Sequence, residues 1–382
     1  MKIIIGADIV PTKSNFDDFI EGNLTALLDD NLIELLQQAD MRVFNLEVPL
    51  TDKANPIKKC GPNLIAPPET IKGIQTVGAD FVTVANNHIM DQGESGLEDT
   101  FNVLKKAGIA YAGAGKTAEQ AALPYIVEAN GIKVGFYCCA EHEFSIVSTE
   151  KAGANPFDPL WSLDHIQELK AKCDYVVVLY HGGKEQYRYP SPELQKVCRR
   201  IADKGGDIVI CQHTHCIGCE EIWNGSRIVY GQGNFLFDDC DNEYWANSIL
   251  VSLQMDKEKI EVEYIPICKN GKSVRLADSE EKEVILTGFE ERSEAIQDQT
   301  FIIRQYREFS EKMCGSYCNR AMGKINRTLA FRVFNKITKG RLRDDCYSSA
   351  DALAMINVLE CEPHRELFLA GLKEFVKSER SN

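Results

Sequence analysis

The sequence lacks the features of a membrane-spanning or nucleic-acid-binding protein. No uninterrupted apolar run approaches the roughly twenty residues that a membrane-spanning helix needs, and the apolar start "KIII" is too short for a signal peptide. Positive charge is also scarce, because 43 Lys and Arg stand against 57 Asp and Glu and give a net charge of −14. Such a balance provides no general attraction to nucleic acid. We therefore expect a cytoplasmic protein with no transmembrane segment and no nucleic-acid partner, with peripheral association with a membrane left open.

Internal repeats, low-complexity tracts and long Gly/Ser linkers are absent as well, so composition marks no sharp domain boundary. The 14 cysteines are scattered along the chain rather than clustered as in a disulfide scaffold. Scattered cysteines among apolar strands are typical of a reduced protein, in which the thiol packs as a small hydrophobic group. We predict that these cysteines are free thiols.

Apolar, β-branched runs alternate with segments of helical period over about the first 240 residues. The runs, each followed by polar residues, are "KIII", "MRVFNL", "DFVTVA", "IKVGFYCCA", "YVVVLY", "DIVIC" and "RIVYGQG". Near-continuous apolar strands are typical of sheets that are buried on both faces. Between the runs, Ser191 followed by Pro192 predicts the start of one helix, and Gly108 predicts the end of another. The sequence therefore predicts a layered α/β domain.

The pattern changes beyond about residue 250. "SILVSLQM" and "KIEVEYIPI" predict two further strands, and "KNGK" at residues 269–272 predicts a hairpin turn after them. From about residue 289 onward the periodicity is mostly helical. We predict a first domain over residues 1–288 and a helical C-terminal extension over residues 289–382.

Six polar side chains follow predicted strands at positions that would meet at one edge of a sheet. They are Asp8, Glu47, Asn87, His181, His213 and His215. Ligands of α/β proteins gather at the carboxyl ends of the strands, and carboxylates, an amide and imidazoles together suit one or two Mn, Fe or Zn ions. Each residue alone is also compatible with a structural role: a lone histidine after a strand is more often a structural hydrogen-bonding residue, and the carboxylates and Asn87 could belong to turns. The pair His213-x-His215 favours the metal site, because alternate side chains of an extended or turn backbone can point to one side.

The stretch "ICQHTHCIGCE" at residues 210–220 also allows a zinc knuckle. Cys216 and Cys219 have the spacing of half such a site, but a closed site needs four ligands. The next cysteine pair lies far along the chain in a segment that is predicted to be helical. We therefore predict that Cys211, Cys216 and Cys219 pack in the core and that the two histidines belong to a composite site.

Five blocks occur in order along the chain. They are "GADIVPT" (6–12), "NLEVPLT" (45–51), "ANNHIMDQGESGLEDT" (85–100), "HGGKEQYRYPSPELQKVCRRIADKGGDIVICQHTHC" (181–216) and "IVYGQGNFLFD" (228–238). Together they resemble the signature blocks of the capsule-synthesis CapA or poly-γ-glutamate biosynthesis PgsA family, which is part of the calcineurin-like metallophosphoesterase superfamily. The resemblance implies a four-layer αββα sandwich with a metal centre at the strand ends.

The resemblance also implies roles for individual residues. The implied metal ligands are Asp8 and His215 for one ion, Asn87, His181 and His213 for another, and Glu47 as the bridge between them. His88 would be the general acid, and Asp91 would orient it. Residues expected to contact an anionic substrate, each equally compatible with a structural or solvated role, are Lys59, Glu141, His142, Glu185, Arg188 and Asn234.

One position departs from the superfamily pattern. The D-x-H motif of the superfamily places a histidine two residues after the first aspartate, whereas Val10 stands at that position after Asp8. We therefore expect fewer protein ligands for the first ion.

Two functional hypotheses follow. The first is a metal-dependent phosphoesterase-like hydrolase that uses a metal-bridged hydroxide on an anionic small molecule or polymer linked to envelope polysaccharide or polyglutamate metabolism. The second is a non-hydrolytic component of a capsule or polyglutamate synthesis complex, which binds polymer or a partner protein. A metal-stabilised binding module without catalysis is a weaker third hypothesis, because His88 has no obvious structural purpose.

The segment "RAMGKINRTLAFRVFNKITKGRLR" at residues 320–343 contains no acidic residue. One interpretation is a basic amphipathic helix that contacts an anionic polymer, phosphates or a membrane surface. The simpler expectation is a helix whose apolar side chains pack on the core while Lys and Arg face solvent. The apolar residues in question are Met322, Ile325, Leu329, Phe331 and Val333.

Overall fold

A computed structural model describes residues 1–238, 240–321, 328–341 and 349–378. The chain divides into two compact units, Met1–Ile303 and Arg304–Asn382. The first unit contains all the described strands, and the second is helical where it is described.

The strands supply two large sheets. They are β1 (Lys2–Val10), β2 (Met41–Leu46), β3 (Phe81–Thr83), β4 (Ala110–Ala112), β5 (Ala114–Gly115), β6 (Tyr125–Ala129), β7 (Ile132–Ala140), β8 (Gly153–Ala154), β9 (Tyr175–His181), β10 (Ile208–Gln212), β11 (Glu220–Trp223), β12 (Ser226–Tyr230), β13 (Asn234–Phe237), β14 (Asn247–Met255), β15 (Ile260–Asn270) and β16 (Ser273–Leu276). The first sheet has the order β16-β15-β14-β1-β2-β3-β4, with β13 paired beside β1. The second has the order β11-β12-β10-β9-β7-β6, and β5 pairs with β8 alone. Strands β1, β2 and β3 run parallel, as do β7, β9, β10 and β12, so the carboxyl ends within each set share an edge.

Helices connect these strands and continue beyond them. They are α1 (Phe16–Glu21), α2 (Leu24–Leu27), α3 (Asp30–Gln37), α4 (Ile71–Thr76), α5 (Gly93–Ala107), α6 (Ala118–Ala121), α7 (Ser162–Lys170), α8 (Pro192–Asp203), α9 (Ser279–Ala295), α10 (Gln299–Ala321), α11 (Leu329–Ile337), α12 (Ser349–Glu360) and α13 (Glu362–Ser378), with a short 3₁₀ turn at Pro68–Thr70.

The alternation of side chains along each strand divides the core into layers. In β1, Ile3 and Ile5 join a cluster between the two sheets, whereas Ile4 packs in a second cluster with residues of α1, α3, α4 and α5. In β9, Val177 faces the other sheet and Val178 packs in a third cluster with residues of α7 and α8. Both faces of each sheet are therefore buried, as the apolar runs predict. The helix–sheet–sheet–helix order confirms the predicted four-layer αββα sandwich.

Local signals in the sequence place several boundaries correctly. The Ser191 hydroxyl accepts a hydrogen bond from the Leu194 N–H at 3.0 Å, and α8 begins at Pro192. Helix α5 ends at Gly108, which adopts a left-handed φ of 72°. In the hairpin between β15 and β16, Gly271 has a φ of 61°. Ser191, Gly108 and Gly271 therefore have the local conformations that their residue types favour.

The first compact unit extends further than the predicted boundary at residue 288, which lies inside α9. Phe289 is buried against Ile217 and Ile249, and Ile296 and Ile302 are buried in the cluster that includes α8. Helical periodicity in the sequence does not show which surface an apolar face will cover, so the contribution of these residues to the first unit could not be read from it.

The second unit is helical in its described residues, as predicted for the extension. The expectation that Leu329 and Val333 pack on a core is wrong, because their exposed fractions are 76% and 47%. Met322 and Ile325 lie outside the described residues, and Phe331 is half-buried. Across the described parts of both units, no helix is both long enough and apolar enough to cross a membrane.

Candidate metal centre

The ends of five strands bring the predicted ligands to one place. Asp8 lies in the last part of β1, Glu47 directly follows β2, and Asn87 lies in the loop after β3. His181 is the last residue of β9, and the loop after β10 carries both His213 and His215. The parallel arrangement of these strands within each sheet is what allows residues so far apart in sequence to converge.

Glu47, His213 and His215 form the centre of this group. Each offers a ligand atom, and these atoms all lie within 4.8 Å of one another. All three side chains are buried. One carboxylate and two imidazoles at this spacing can contact a single divalent ion.

His181 joins this group from the second sheet. Its Nε2 lies 3.0 Å from Oδ1 of Asn87 and 3.3 Å from Oε1 of Glu47. Its ring centroid is 4.7 Å from that of His213. The structure therefore brings Asn87 and His181 together with the central group, and their role as ligands stays a prediction.

Asp8 and His215 lie on the opposite side of the group. Oδ2 of Asp8 is 3.5 Å from Nδ1 of His215, and the same Nδ1 is 2.8 Å from Oδ1 of Asn234. Since both neighbours accept hydrogen bonds, Nδ1 carries a proton, and Nε2 is the ring nitrogen that would bind a metal ion once its own proton is displaced.

Asn45 is a site residue that the sequence reasoning missed. Its amide nitrogen donates to Oδ1 of Asp8 at 2.7 Å and lies 3.2 Å from Nδ1 of His181, and its oxygen accepts from the amide of Asn86 at 3.0 Å. It therefore joins ligands from both sheets through one buried side chain. The signal was an amide inside the apolar run "MRVFNL", two residues before Glu47.

The loop that carries the two histidines has an unusual backbone. His213 and His215 adopt positive φ angles of 85° and 52°, a region that costs energy for residues other than glycine. The loop packs closely on Gly231, where an added Cβ would lie 2.6 Å from the Thr214 hydroxyl oxygen. Such strain persists only where the surrounding structure enforces it, and here it accompanies two imidazoles that share one site.

The buried charges shift one another's ionisation. Burial and the charge of Glu47 raise the pKa of Asp8, whereas the imidazoles of His181 and His215 overcome burial and hold the pKa of Glu47 below its ordinary value. Burial and the neighbouring imidazoles lower the pKa of His213. Burial also opposes charge on His215, but Asp8 and Glu47 outweigh it and raise that pKa to about 9. His213 is thus held neutral, which is the form of imidazole that binds metal.

Several buried polar atoms in this group lack a hydrogen-bond partner among the described residues. They are Oδ2 of Asp8, both carboxylate oxygens of Glu47, Nδ1 of His213 and Nδ2 of Asn234. Buried polar atoms without partners are costly and uncommon. All except Nδ2 of Asn234 can offer a lone pair, so the residues fit a divalent transition-metal ion.

His88 and Asp91 form a second feature beside the ligands. Nδ1 of His88 lies 2.6 Å from Oδ2 of Asp91, which also accepts from the Leu64 N–H at 2.6 Å. Because an ionised carboxylate only accepts, Nδ1 of His88 donates and its Nε2 stays available. Asp91 is fully buried and bonded to the imidazole, and its role in orienting a catalytic His88 stays a prediction.

Lys59 occupies a different place from the one expected for a substrate contact. Its ammonium group is buried against the carboxylate of Asp91 and lies 3.2 Å from Nδ1 of His88. The side chain therefore neutralises Asp91 behind His88. The run "KKCGPNL" carried no signal of this contact, because its partner lies more than thirty residues away at Asp91.

The other expected substrate contacts are dispersed. Glu141 is half-buried and accepts a hydrogen bond from the Gly183 N–H at 3.0 Å, which clamps the loop after β9. Burial raises its pKa. His142 is exposed, and the exposed Glu185 lies 3.7 Å from the ammonium of Lys184. The structure places none of these three in hydrogen-bond contact with a predicted ligand side chain.

The surroundings of Val10 explain how the departure from D-x-H is accommodated. Val10 is buried and pairs in register with Phe237 of β13. Phe237 packs edge-on to the ring of His215, and Trp245 lies against the same ring with centroids 4.9 Å apart. Apolar and aromatic side chains therefore line this side of His215.

The cysteines of the histidine loop pack in the interior as predicted. Cys211, Cys216 and Cys219 are buried, and Sγ of Cys211 lies 3.6 Å from that of Cys198 without a disulfide. Burial raises the pKa of Cys216 to about 11, so its thiol stays protonated at neutral pH. The three thiols therefore pack as small hydrophobic groups in the core.

Comparison with known proteins finds a matching family model and relatives of similar sequence. The family model for the bacterial capsule synthesis protein PGA_cap matches residues 10–239. The capsule biosynthesis protein CapA of Bacillus anthracis is 31% identical over 213 residues, 53% of this chain and 52% of that protein. The PGA biosynthesis protein CapA of Bacillus subtilis (strain 168) is 31% identical over 174 residues, 44% of this chain and 46% of that protein.

A solved structure is also similar. The 5'-nucleotidase precursor from Thermus thermophilus aligns with a TM-score of 0.42 at 12% identity, over 76% of this chain and 58% of that one. The chain spans about half the length of the curated relatives it matches.

Proposed function

Because the chain belongs to the bacterial capsule synthesis protein PGA_cap family, we propose that it is a metal-dependent phosphoesterase-like hydrolase. Its substrate would be an anionic small molecule or polymer linked to envelope polysaccharide or polyglutamate metabolism. The names of the Bacillus relatives, which refer to capsule and PGA biosynthesis, support this part of the proposal.

One observation carries the proposal. The unpartnered carboxylate oxygens of Asp8 and Glu47 and the unpartnered Nδ1 of His213 converge beside a histidine that a buried aspartate orients. A purely structural polar cluster would satisfy these atoms internally. A cluster of ligand atoms next to a positioned proton donor is the arrangement that metal-assisted hydrolysis requires.

In the proposed reaction, water forms a bond to phosphorus and the bond to the leaving oxygen breaks, and a divalent ion, when bound, would supply Lewis acidity toward a phosphoryl oxygen. His88 lies next in sequence to Asn87, and when its ring carries a second proton at Nε2, this N–H would donate that proton to the leaving oxygen and leave the ring neutral. Asp91 holds the ring through Nδ1, and Lys59 balances the charge of Asp91. Together these contacts keep the ring orientation fixed during proton transfer.

Asn234 would position the substrate. Its Oδ1 accepts from His215, which leaves Nδ2 buried and without a partner among the described residues. An amide N–H₂ group cannot bind a metal ion but donates well to a negatively charged oxygen. Nδ2 would therefore hold an oxyanion of the substrate beside the ligands.

A turnover assay with reconstituted protein tests the proposal. The full chain is loaded with Mn²⁺, Fe²⁺ or Zn²⁺ and assayed with p-nitrophenyl phosphate, bis-p-nitrophenyl phosphate and a panel of sugar and polyol phosphoesters. We expect turnover that requires the metal and is lost in His88→Ala. His364→Ala is the matched control, because that histidine is exposed in the second unit. Turnover that persists in His88→Ala, or that needs no metal, contradicts the proposal.

A second candidate function is a non-hydrolytic component of a capsule or polyglutamate synthesis complex that binds polymer or a partner protein. The apolar surroundings of Val10 favour it, because they leave fewer ligands for a first ion than the D-x-H pattern provides. It predicts a protein that binds one ion and an anionic polymer but turns over no phosphoester. Hydrolysis that requires the metal would exclude it.

A further inference from the structure

Arg188 is held beside the histidine loop by two contacts. Its Nη1 donates to the carbonyl oxygen of Ile217 at 3.2 Å, and its guanidinium lies over the ring of Tyr244 with 4.9 Å to the centroid. The next residue, Trp245, packs on His215. The guanidinium therefore has a defined position on the rim of the candidate metal centre.

Arg292 approaches the same loop from α9, beyond the part of the chain that the family model matches. Its Nε donates to the carbonyl oxygen of Gly218 at 2.7 Å, one residue after the carbonyl that Arg188 contacts. Burial and the nearby charge of Arg188 lower the pKa of Arg292. Two guanidinium groups thus contact consecutive carbonyls, and the charge of one acts on the other.

Neither guanidinium has an ion-pair partner within the part of the chain that the structure describes. The other half-buried arginines of the first unit each have one, as Arg199 has in Glu221 and Arg227 has in Glu220. Each arginine of the pair uses one N–H group for a carbonyl, and a guanidinium has five to donate. Two half-buried positive charges that act on each other without a carboxylate nearby are unfavourable. An anion bound between them would offset their repulsion.

The pair lies close to the predicted ligands. Ile217 follows His215 by two residues, so their Cα atoms are at most about 7 Å apart. Both guanidinium groups contact carbonyls of the chain just after the predicted ligand His215, and among the described residues no hydrogen bond joins either of them to a predicted ligand side chain. An anionic group bound by the pair would therefore be a different group from the one at the metal centre.

We propose that Arg188 and Arg292 form an oxyanion-binding site that holds a second anionic group of the substrate, apart from the group that reaches the metal centre. The site selects substrates with at least two oxyanions, which are either carboxylates of a polymer or phosphates. As a substrate site it rests on the proposed function, but anion binding by the arginine pair can be measured without turnover.

Calorimetric titration of the full chain tests this site with two probes, a γ-linked glutamate pentamer and inorganic phosphate, at one fixed salt concentration. The variants are Arg188→Gln and Arg292→Gln, with Arg200→Gln as the control because Arg200 is exposed and paired with Asp203. All are also made in a His213→Ala, His215→Ala background, which removes the metal site. We expect each change of the pair to weaken binding of at least one probe about tenfold or more in both backgrounds, and the control to stay within about twofold.

The probe that responds identifies the chemistry, since a response to the pentamer alone indicates carboxylates and a response to phosphate indicates phosphoryl groups. Arg292→Lys keeps the charge but loses the planar fork, so we expect an intermediate loss, and it replaces Arg292→Gln if thermal melting shows that variant to be unfolded. Wild-type affinity in all arginine variants, or no binding of either probe to the wild type, overturns the site. Arginine-dependent binding without turnover of any phosphoester overturns only the hydrolase.

Discussion

The two sides of the candidate metal centre differ in the number of predicted ligands and in the side chains around them. On one side, His181 and His213 lie together with Asn87 and Glu47, and His88, the proposed proton donor, follows Asn87 in sequence. On the other side, Asp8 and His215 stand against apolar and aromatic side chains, and Nδ1 of His215 is already engaged by Asn234. The difference predicts that a bound ion would be held mainly by the ligands of the first side, with His215 as a weaker contact from the other, and that a second ion would find few ligands.

The largest expected effect tests whether the chemistry belongs to the first side. His88→Ala should lower kcat by about 10²–10⁴-fold, because general acid catalysis contributes on this scale. Bound metal should be unchanged, since the ring of His88 is not among the ligands. Steady-state kinetics with metal analysis of the same sample measure both. A variant that loses its metal would show instead that His88 supports the ligands.

Removing one histidine from each side compares the two directly. His213→Ala should weaken metal binding by more than about 100-fold, beyond the effect of an outer contact, whereas His215→Ala should weaken it by about tenfold. The reason is that His213 has an unpartnered Nδ1 and lies on the side with more predicted ligands, beside His181 and Glu47. Competition with a chromogenic chelator gives both affinities. Equal losses of metal affinity, or a larger loss in His215→Ala, would contradict the predicted difference between the two sides.

Asn45 connects the two sides, so its removal should affect both modestly. Asn45→Ala deletes the hydrogen bond to Asp8 and the contact to His181, and outer contacts of this kind are worth about 10–100-fold in metal affinity. Thr25→Ala, a change at an exposed side chain in α2, serves as a control. Wild-type affinity in Asn45→Ala would show that the buried amide only fills space.

The smallest effect is expected from adding a ligand on the side of Asp8 and His215, which has fewer predicted ligands. Val10→His restores the D-x-H spacing and should raise the bound metal from about one toward two equivalents at saturating metal. A buried imidazole among apolar neighbours should also lower the free energy of unfolding by about 1–3 kcal/mol when metal is withheld. Val10→Ala removes volume without adding a ligand and is the matched control. An unchanged stoichiometry would mean that the side chains around Val10 exclude an ion.

Much of the architecture was readable because it depends on local patterns. Apolar runs predicted strands buried on both faces in a layered α/β domain, and the resemblance implied the two sheets. Ser191 and Gly108 marked helix ends that their own side chain or backbone determines. Polar residues after strands predicted which side chains would meet, since parallel strands place their carboxyl ends at one edge. Residues 289–303 were harder, because an apolar helix face does not reveal the surface it covers.

The finer details of the site depend on contacts between distant residues. Asn45 and Lys59 act through partners in other elements, and no periodicity reports such a contact. The positive φ angles of His213 and His215 likewise follow from the packing of their loop on Gly231. Arg292 lies outside every block that suggested the family, so only the fold places it beside Arg188.

The most direct test is the metal content of the full chain, measured by inductively coupled plasma mass spectrometry after purification without chelators or metal-affinity resin. The wild type should contain about one equivalent of Mn, Fe or Zn, and the His213→Ala, His215→Ala variant should contain none. About two equivalents in the wild type would contradict the difference between the two sides. No bound metal after incubation with all three ions would contradict the metal centre itself.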